Sequence, residues 1–137
     1  MKARVIVDTN RIIAALIKDS ISRKILYHAD IEFLGISFSM GEVTKHKGYI
    51  LEKAKISEEE FEIILGKIIH KVVFIDDILI SLHIEEAKRI MLEIDSDDVP
   101  FISAALATGA DIWSDDEHFT KQKKIKVWKT TDLMKLL

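Results

Sequence analysis

Val5-Ile6-Val7-Asp8-Thr9-Asn10 is the stretch that decides the fold: three β-branched apolar residues run directly into an acid and two polar residues. Ile112-Trp113-Ser114-Asp115-Asp116 ends in the same way, with Asp95-Ser96-Asp97-Asp98-Val99-Pro100 just upstream, and Ile75-Asp76-Asp77 is a third instance. If the apolar runs are buried parallel strands, their carboxyl ends meet at one edge of a sheet. Acid concentrated at such an edge is destabilising unless it holds a cation. The pattern therefore points to a metal site.

Outward from these stretches the chain alternates strand-like and helix-like segments. The candidate strands are 3–7, 32–36, 71–75, 110–113 and 125–128, each short and apolar. Helical spacing fills 11–17, 22–28, 40–54, 58–69, 84–92 and 100–108. Ser57 with Glu60 forms a capping box, and Gly109 is a natural helix stop. Repeated strand, helix, strand predicts an α/β three-layer sandwich, with a five-stranded, mostly parallel sheet and helices on both faces. Ligands of such sheets bind beyond the strand carboxyl ends, where the strand order reverses. If the first and fourth strands are neighbours there, Asp8 faces Asp115 and Asp116.

At 137 residues with 48% apolar content, the chain has the size of one domain, expected to span 1–137. It has no cysteine, so any metal must be held by oxygen or histidine, and disulfides and thiolate chemistry are excluded. No apolar stretch approaches the roughly 18 residues that span a bilayer. No leader pattern is visible, and a soluble, cytoplasmic protein is expected. Formal net charge is −3, which taken alone disfavours a nucleic-acid partner. With four carboxylates engaged by metal, however, 20 basic groups face 19 remaining acids, 23 less 4. Lys121, Lys123, Lys124, Lys126 and Lys129 form one basic stretch, and Lys45, His46, Lys47, Lys53 and Lys55 form another. Either stretch could contact phosphate or be a solvated face.

Each acid also has an ordinary structural explanation. Asp8 or Asn10 could cap the following helix, and Pro100, tolerated only in a first turn, makes Asp97 or Asp98 an N-cap candidate. One acid suffices for a cap, yet Asp95, Asp97 and Asp98 crowd within four residues. Ser39-Met40-Gly41-Glu42 reads as a capping box that places Glu42 in a first helical turn at the same edge. Ser114, Asp115 and Asp116 could form a polar turn into Phe119. Oxygen donors without cysteine or paired histidines suit Mg²⁺ or Mn²⁺, ions whose chemistry is on phosphates. His28, His46, His70, His83 and His118 show no paired metal spacing and read as surface or helix-end residues, His46 and His118 being nearest the acids. Trp113 and Trp128 read as core.

These residues resemble the PIN domain, a family of small metal-dependent ribonucleases that includes toxins of the virulence-associated protein C type. Val5-Ile6-Val7-Asp8-Thr9-Asn10 looks like the family's first motif, with Asp8 as a metal ligand and Asn10 as its polar companion. Glu42 falls where the family has its helical acid. Asp98-Val99-Pro100, leading into Ile102, Ala104, Ala105 and Ala107, is similar to the third motif. Ser114-Asp115-Asp116-Glu117-His118-Phe119 resembles the fourth, with Ser114 as its hydroxyl residue and Asp116 as its acid. The resemblance implies strand order 3-2-1-4-5 and Mg²⁺ or Mn²⁺, one or two ions, on the catalytic acids Asp8, Glu42, Asp98 and Asp116. It also implies cleavage of single-stranded RNA, by the toxin of a toxin–antitoxin pair or by an RNA-processing nuclease, with frequent homodimers and, for a toxin, a small antitoxin partner. Asp97 and Asp115 stand as the adjacent alternatives to Asp98 and Asp116.

Two other classes compete. An inert module would keep the fold and bind RNA or assemble without turnover. A phospho-accepting receiver would cast Asp8, Asp76 or Asp77, Ser114 and Lys129 in its roles, but leaves Glu42 and Asp95 to Asp98 without purpose.

Overall fold

The computed structural model describes residues 2–18, 20–91 and 95–137. Its parallel strands are β1 (Ala3–Val7), β2 (Ile31–Gly35), β3 (Val72–Phe74), β4 (Asp111–Trp113) and β5 (Val127–Trp128). They form one sheet in the order β3-β2-β1-β4-β5. That order removes the receiver alternative, because the flavodoxin-like arrangement of receivers is 2-1-3-4-5.

On one face lie α1 (Thr9–Ile17), α2 (Ile21–His28), α4 (Lys47–Ala54), α5 (Glu58–His70) and α10 (Thr130–Met134). The other face carries α6 (Asp77–Ser81), α7 (Ile84–Met91), α8 (Val99–Thr108) and α9 (Glu117–Thr120). The period-2 alternation of strands sorts the core accordingly. Val5, Val7, Phe33 and Trp113 pack with Ile12, Leu16, Ile25, Ile50 and Phe61. Ile6, Leu34 and Ile112 pack on the opposite side with Ile80, Met91, Ile102 and Phe119. β1 is the centre of the sheet, and all three of its last residues are fully buried, as expected for a strand covered on both faces.

Several sequence expectations hold. The Ser57 and Glu60 capping box forms, and Gly109 closes α8 at φ 75°, with its N–H bonded to the Ala105 carbonyl. Trp113 is fully buried, whereas Trp128 is only partly so. Others need correction. The helix expected over 40–54 is two helices, α3 (Ser37–Lys45) and α4, broken at His46, where φ is −97° and ψ 9°. α3 begins three residues before Met40 because β2 ends at Gly35 and the chain turns at once. Ser39 therefore lies inside the first turn, fully buried, and accepts a hydrogen bond from the Thr9 hydroxyl at 2.9 Å instead of capping. The helix expected over 84–92 is observed to Met91, and Leu92 lies outside the described residues. The short α9 and α10 were not expected, whereas Asp76-Asp77, read as a turn or helix start, does open α6.

Gly35 shows how tightly the β2 and β3 ends approach. A Cβ there would lie 2.7 Å from Val72 Cγ1 and 3.2 Å from the Phe74 ring. Gly35→Ala should destabilise the protein by about 1 to 3 kcal/mol through overpacking, measured by urea unfolding. An unchanged midpoint would mean that the edge strand gives way freely.

Candidate metal centre

The switch in chain direction falls between β1 and β4, because the chain builds outward from β1 through β2 to β3 and then returns to the other side of β1. Two backbone bonds extend the ladders past the strand ends, Asp8 N–H to the Trp113 carbonyl at 3.0 Å and Ser114 N–H to the Trp128 carbonyl at 3.1 Å. Asp8 and Ser114 thereby end side by side. The Ser114 hydroxyl, fully buried, donates to Asp8 Oδ2 at 2.7 Å and accepts from the Asp116 N–H at 3.0 Å. One hydroxyl thus orients two of the expected acids.

Asp8, Asn10, Glu42, Asp98 and Asp116 all line one cleft of about 190 Å³, together with Asp95, Asp97, His46 and Phe38. The capping explanations divide these residues. Asp8 and Asp98 occupy N-cap positions of α1 and α8, yet neither side chain makes a capping bond. Asp116 does cap α9, accepting from the His118 N–H at 2.9 Å. Asp95, absent from the expected ligand set, accepts from the Asp97 N–H at 2.9 Å and so fixes the 3-10 turn Ser96–Asp98. Asp76 caps α6, accepting from the Ile78 N–H at 2.8 Å.

Geometry also separates the neighbouring alternatives. Asp115 is bound elsewhere: Arg11 Nη1 lies 2.8 Å from its Oδ2, and the Thr130 N–H and hydroxyl donate to it at 2.8 and 2.6 Å. Asp97 is exposed at the cleft wall, whereas Asp98 is only 7% exposed. Asp115→Ala should therefore lower stability by about 1 to 2 kcal/mol while leaving any activity of the cleft within a few-fold. Asp116→Asn should do the reverse, and parallel melts and activity assays of the two variants would reveal an exchange of roles.

Electrostatics mark the centre as unsatisfied. Burial pushes the Asp98 carboxyl up to about 7, assisted by the charges of Asp95, Asp116 and Asp8 and opposed by His118. Asp8 is also raised, chiefly by burial and then by Asp116, while the Ser114 hydrogen bond and the Arg11 charge pull it down. Asp98 Oδ2 is buried without a hydrogen-bond partner among the described residues. An orphaned carboxylate oxygen among converging acids is what a divalent oxygen-loving cation would relieve, so the donor set fits such an ion. Glu42 also lines the cleft, with His46 Nε2 3.7 Å from its Oε2.

Asp95 and His118, outside the expected ligand set, also lie against these acids. His118 Nδ1 lies 3.4 to 3.6 Å from oxygens of Asp95, Asp98 and Asp116. The crowding of Asp95 with Asp97 and Asp98 was the available signal for the first; for the second it was the step of two residues from Asp116 along a helix start.

Fold and site together define a class: a parallel α/β sheet in the order 3-2-1-4-5 with a carboxylate centre at its switch point. A family model described as PIN domain matches residues 6–137. The chain belongs to the PIN-domain family, a family of nucleases. Among solved structures it is similar to a chain of VapBC2 from Rickettsia felis, solved bound to a DNA fragment from their promoter. That likeness has a TM-score of 0.71 at 15% identity and covers 92% of this chain and 98% of that chain. No curated protein matches the sequence. Among the described residues, no helix is long and apolar enough to cross a membrane.

Proposed function

We propose that this protein is a Mg²⁺- or Mn²⁺-dependent endoribonuclease that hydrolyses phosphodiester bonds of single-stranded RNA in the cytoplasm. Asp8, Glu42, Asp98 and Asp116 would hold the cation. The observation that carries this reading is the buried Oδ2 of Asp98, without a hydrogen-bond partner among the described residues, in a cleft shared with Asp8 and Asp116. The bound cation would supply Lewis acidity, activating water and drawing charge from the phosphoryl group. The chain's own residues preorganise the centre. Ser114 fixes Asp8 through its hydroxyl, and the start of α9 fixes Asp116 through the His118 N–H. Arg11 lies close enough to pull the Asp8 carboxyl toward its charged form. Phe38 and Ile13 contribute apolar wall to an otherwise acidic cleft, a surface on which a base could rest.

Within this reading the protein is the toxin of a toxin–antitoxin pair, with a small antitoxin and a second copy of itself as partners. The shared fold with VapBC2, a pair solved on DNA from their promoter, supports that assignment. The test is incubation of labelled single-stranded and double-stranded RNA with purified protein and Mn²⁺ or Mg²⁺. Cleavage confined to single strands and abolished by chelation is expected. RNA that is bound yet stays intact with either ion, while an active control cuts, would replace the nuclease with an inert binding module.

A further inference from the structure

His118 Nδ1 is a buried atom with no hydrogen-bond partner among the described residues. Three carboxylate oxygens lie near it, at 3.4 Å for Asp95 Oδ2, 3.5 Å for Asp116 Oδ1 and 3.6 Å for Asp98 Oδ2. A charge-assisted hydrogen bond would draw one of these pairs to about 2.8 Å. Separations near 3.5 Å to several acids at once suit donors that share an ion, since two atoms bonded to one metal at about 2.1 Å stand roughly 3 to 4 Å apart. Donor atoms of Asp95, Asp98 and His118 all lie within 4.8 Å of one another. The second sign is independent of the imidazole: Asp98 is more than nine-tenths buried, and its Oδ2 has no hydrogen-bond partner among the described residues.

We infer that His118 is a metal ligand through Nδ1, alongside Asp95 and Asp98, and that this nitrogen makes the centre prefer first-row transition ions to Mg²⁺. The inference rests on the cleft being a divalent-cation centre, as proposed above. Carboxylates alone leave Mg²⁺ and Mn²⁺ on similar terms, whereas imidazole is a poor ligand for Mg²⁺ and a good one for the transition series. Asp98 then belongs to both donor groups, since its carboxylate lies with Asp95 and His118 and also lines the cleft with Asp8 and Asp116. Asp95 gains a purpose beyond its turn.

The test uses the full chain, with Mn²⁺ and Mg²⁺ titrated by calorimetry and the Mn²⁺ complex studied by pulsed electron paramagnetic resonance. Wild-type protein should bind Mn²⁺ and show coupling to an imidazole ¹⁴N. His118→Asp keeps a donor but removes the nitrogen. It should still bind Mn²⁺, lose the ¹⁴N coupling, and lose about tenfold or more of the preference for Mn²⁺ over Mg²⁺. Mn²⁺ binding without nitrogen coupling in the wild type, or coupling that survives in His118→Asp, overturns this inference and leaves the cation centre intact. Failure of the wild type to bind Mn²⁺ at all removes the centre itself. Circular dichroism of both proteins separates lost ligation from lost folding.

Discussion

Asp8→Asn should reduce metal-dependent RNA cleavage by at least about a thousandfold, equivalent to roughly 4 kcal/mol of transition-state stabilisation. On the proposed reading, the change removes one charge from the groups that hold the cation and little else. Asn keeps an oxygen that can accept from the Ser114 hydroxyl, the bond that holds Asp8 in place. No helix cap is lost, because the Asp8 side chain makes none. The variant should fold like the wild type, and without metal it should be slightly more stable, since one repelling charge of the cluster is gone. Single-turnover cleavage with Mn²⁺, alongside thermal melts in chelator, separates the two effects. Cleavage within a few-fold of wild type would remove Asp8 from the metal centre.

The second large effect is a pH dependence of stability in the absence of metal. Burial, with the charges of Asp95, Asp116 and Asp8, pushes the Asp98 carboxyl from the ordinary carboxylate range near 3.8 up to about 7 in the folded protein. A carboxyl raised in this way is neutral in both states below the unfolded value, so its full contribution to stability is present there. As pH rises from about 4 through 7 the unfolded chain releases its proton first, and native stability is progressively lost. A rise from the ordinary carboxylate value to about 7 corresponds to up to about 4 kcal/mol. Asp98→Asn should therefore gain on the wild type steadily between pH 4 and pH 8 in chelator. Mn²⁺ should reverse the order at pH 8, because only the wild type keeps the buried carboxylate. A stability difference that does not change with pH would show that Asp98 is not charged at a cost in the native protein.

Much of this architecture was legible in the chain because strand burial writes itself in composition. Val5-Ile6-Val7 and Ile112-Trp113 are continuous apolar runs that only a doubly covered strand needs. The acids at their ends then follow from topology, and Asp8, Glu42, Asp98 and Asp116 do line one cleft. Strand order was not written locally; it came from likeness to a family, since short β3 and β5 give no sign of which neighbour they choose. Glu42 was placed by a capping box that does not form, because the signal for the start of α3 lies in the turn after β2, not in Ser39. The choice between Asp115 and Asp116 depended on Arg11 and Thr130, residues remote in sequence that claim Asp115 for themselves. Pairing of that kind is invisible until the chain is folded.

The most direct measurement is an anomalous difference map from crystals of the protein soaked in Mn²⁺. A peak in the cleft bonded to Asp98 and Asp116, with Asp8 in its coordination shell, is the predicted result. Peaks confined to exposed acids elsewhere, with the cleft empty of metal at saturating Mn²⁺, would contradict the account.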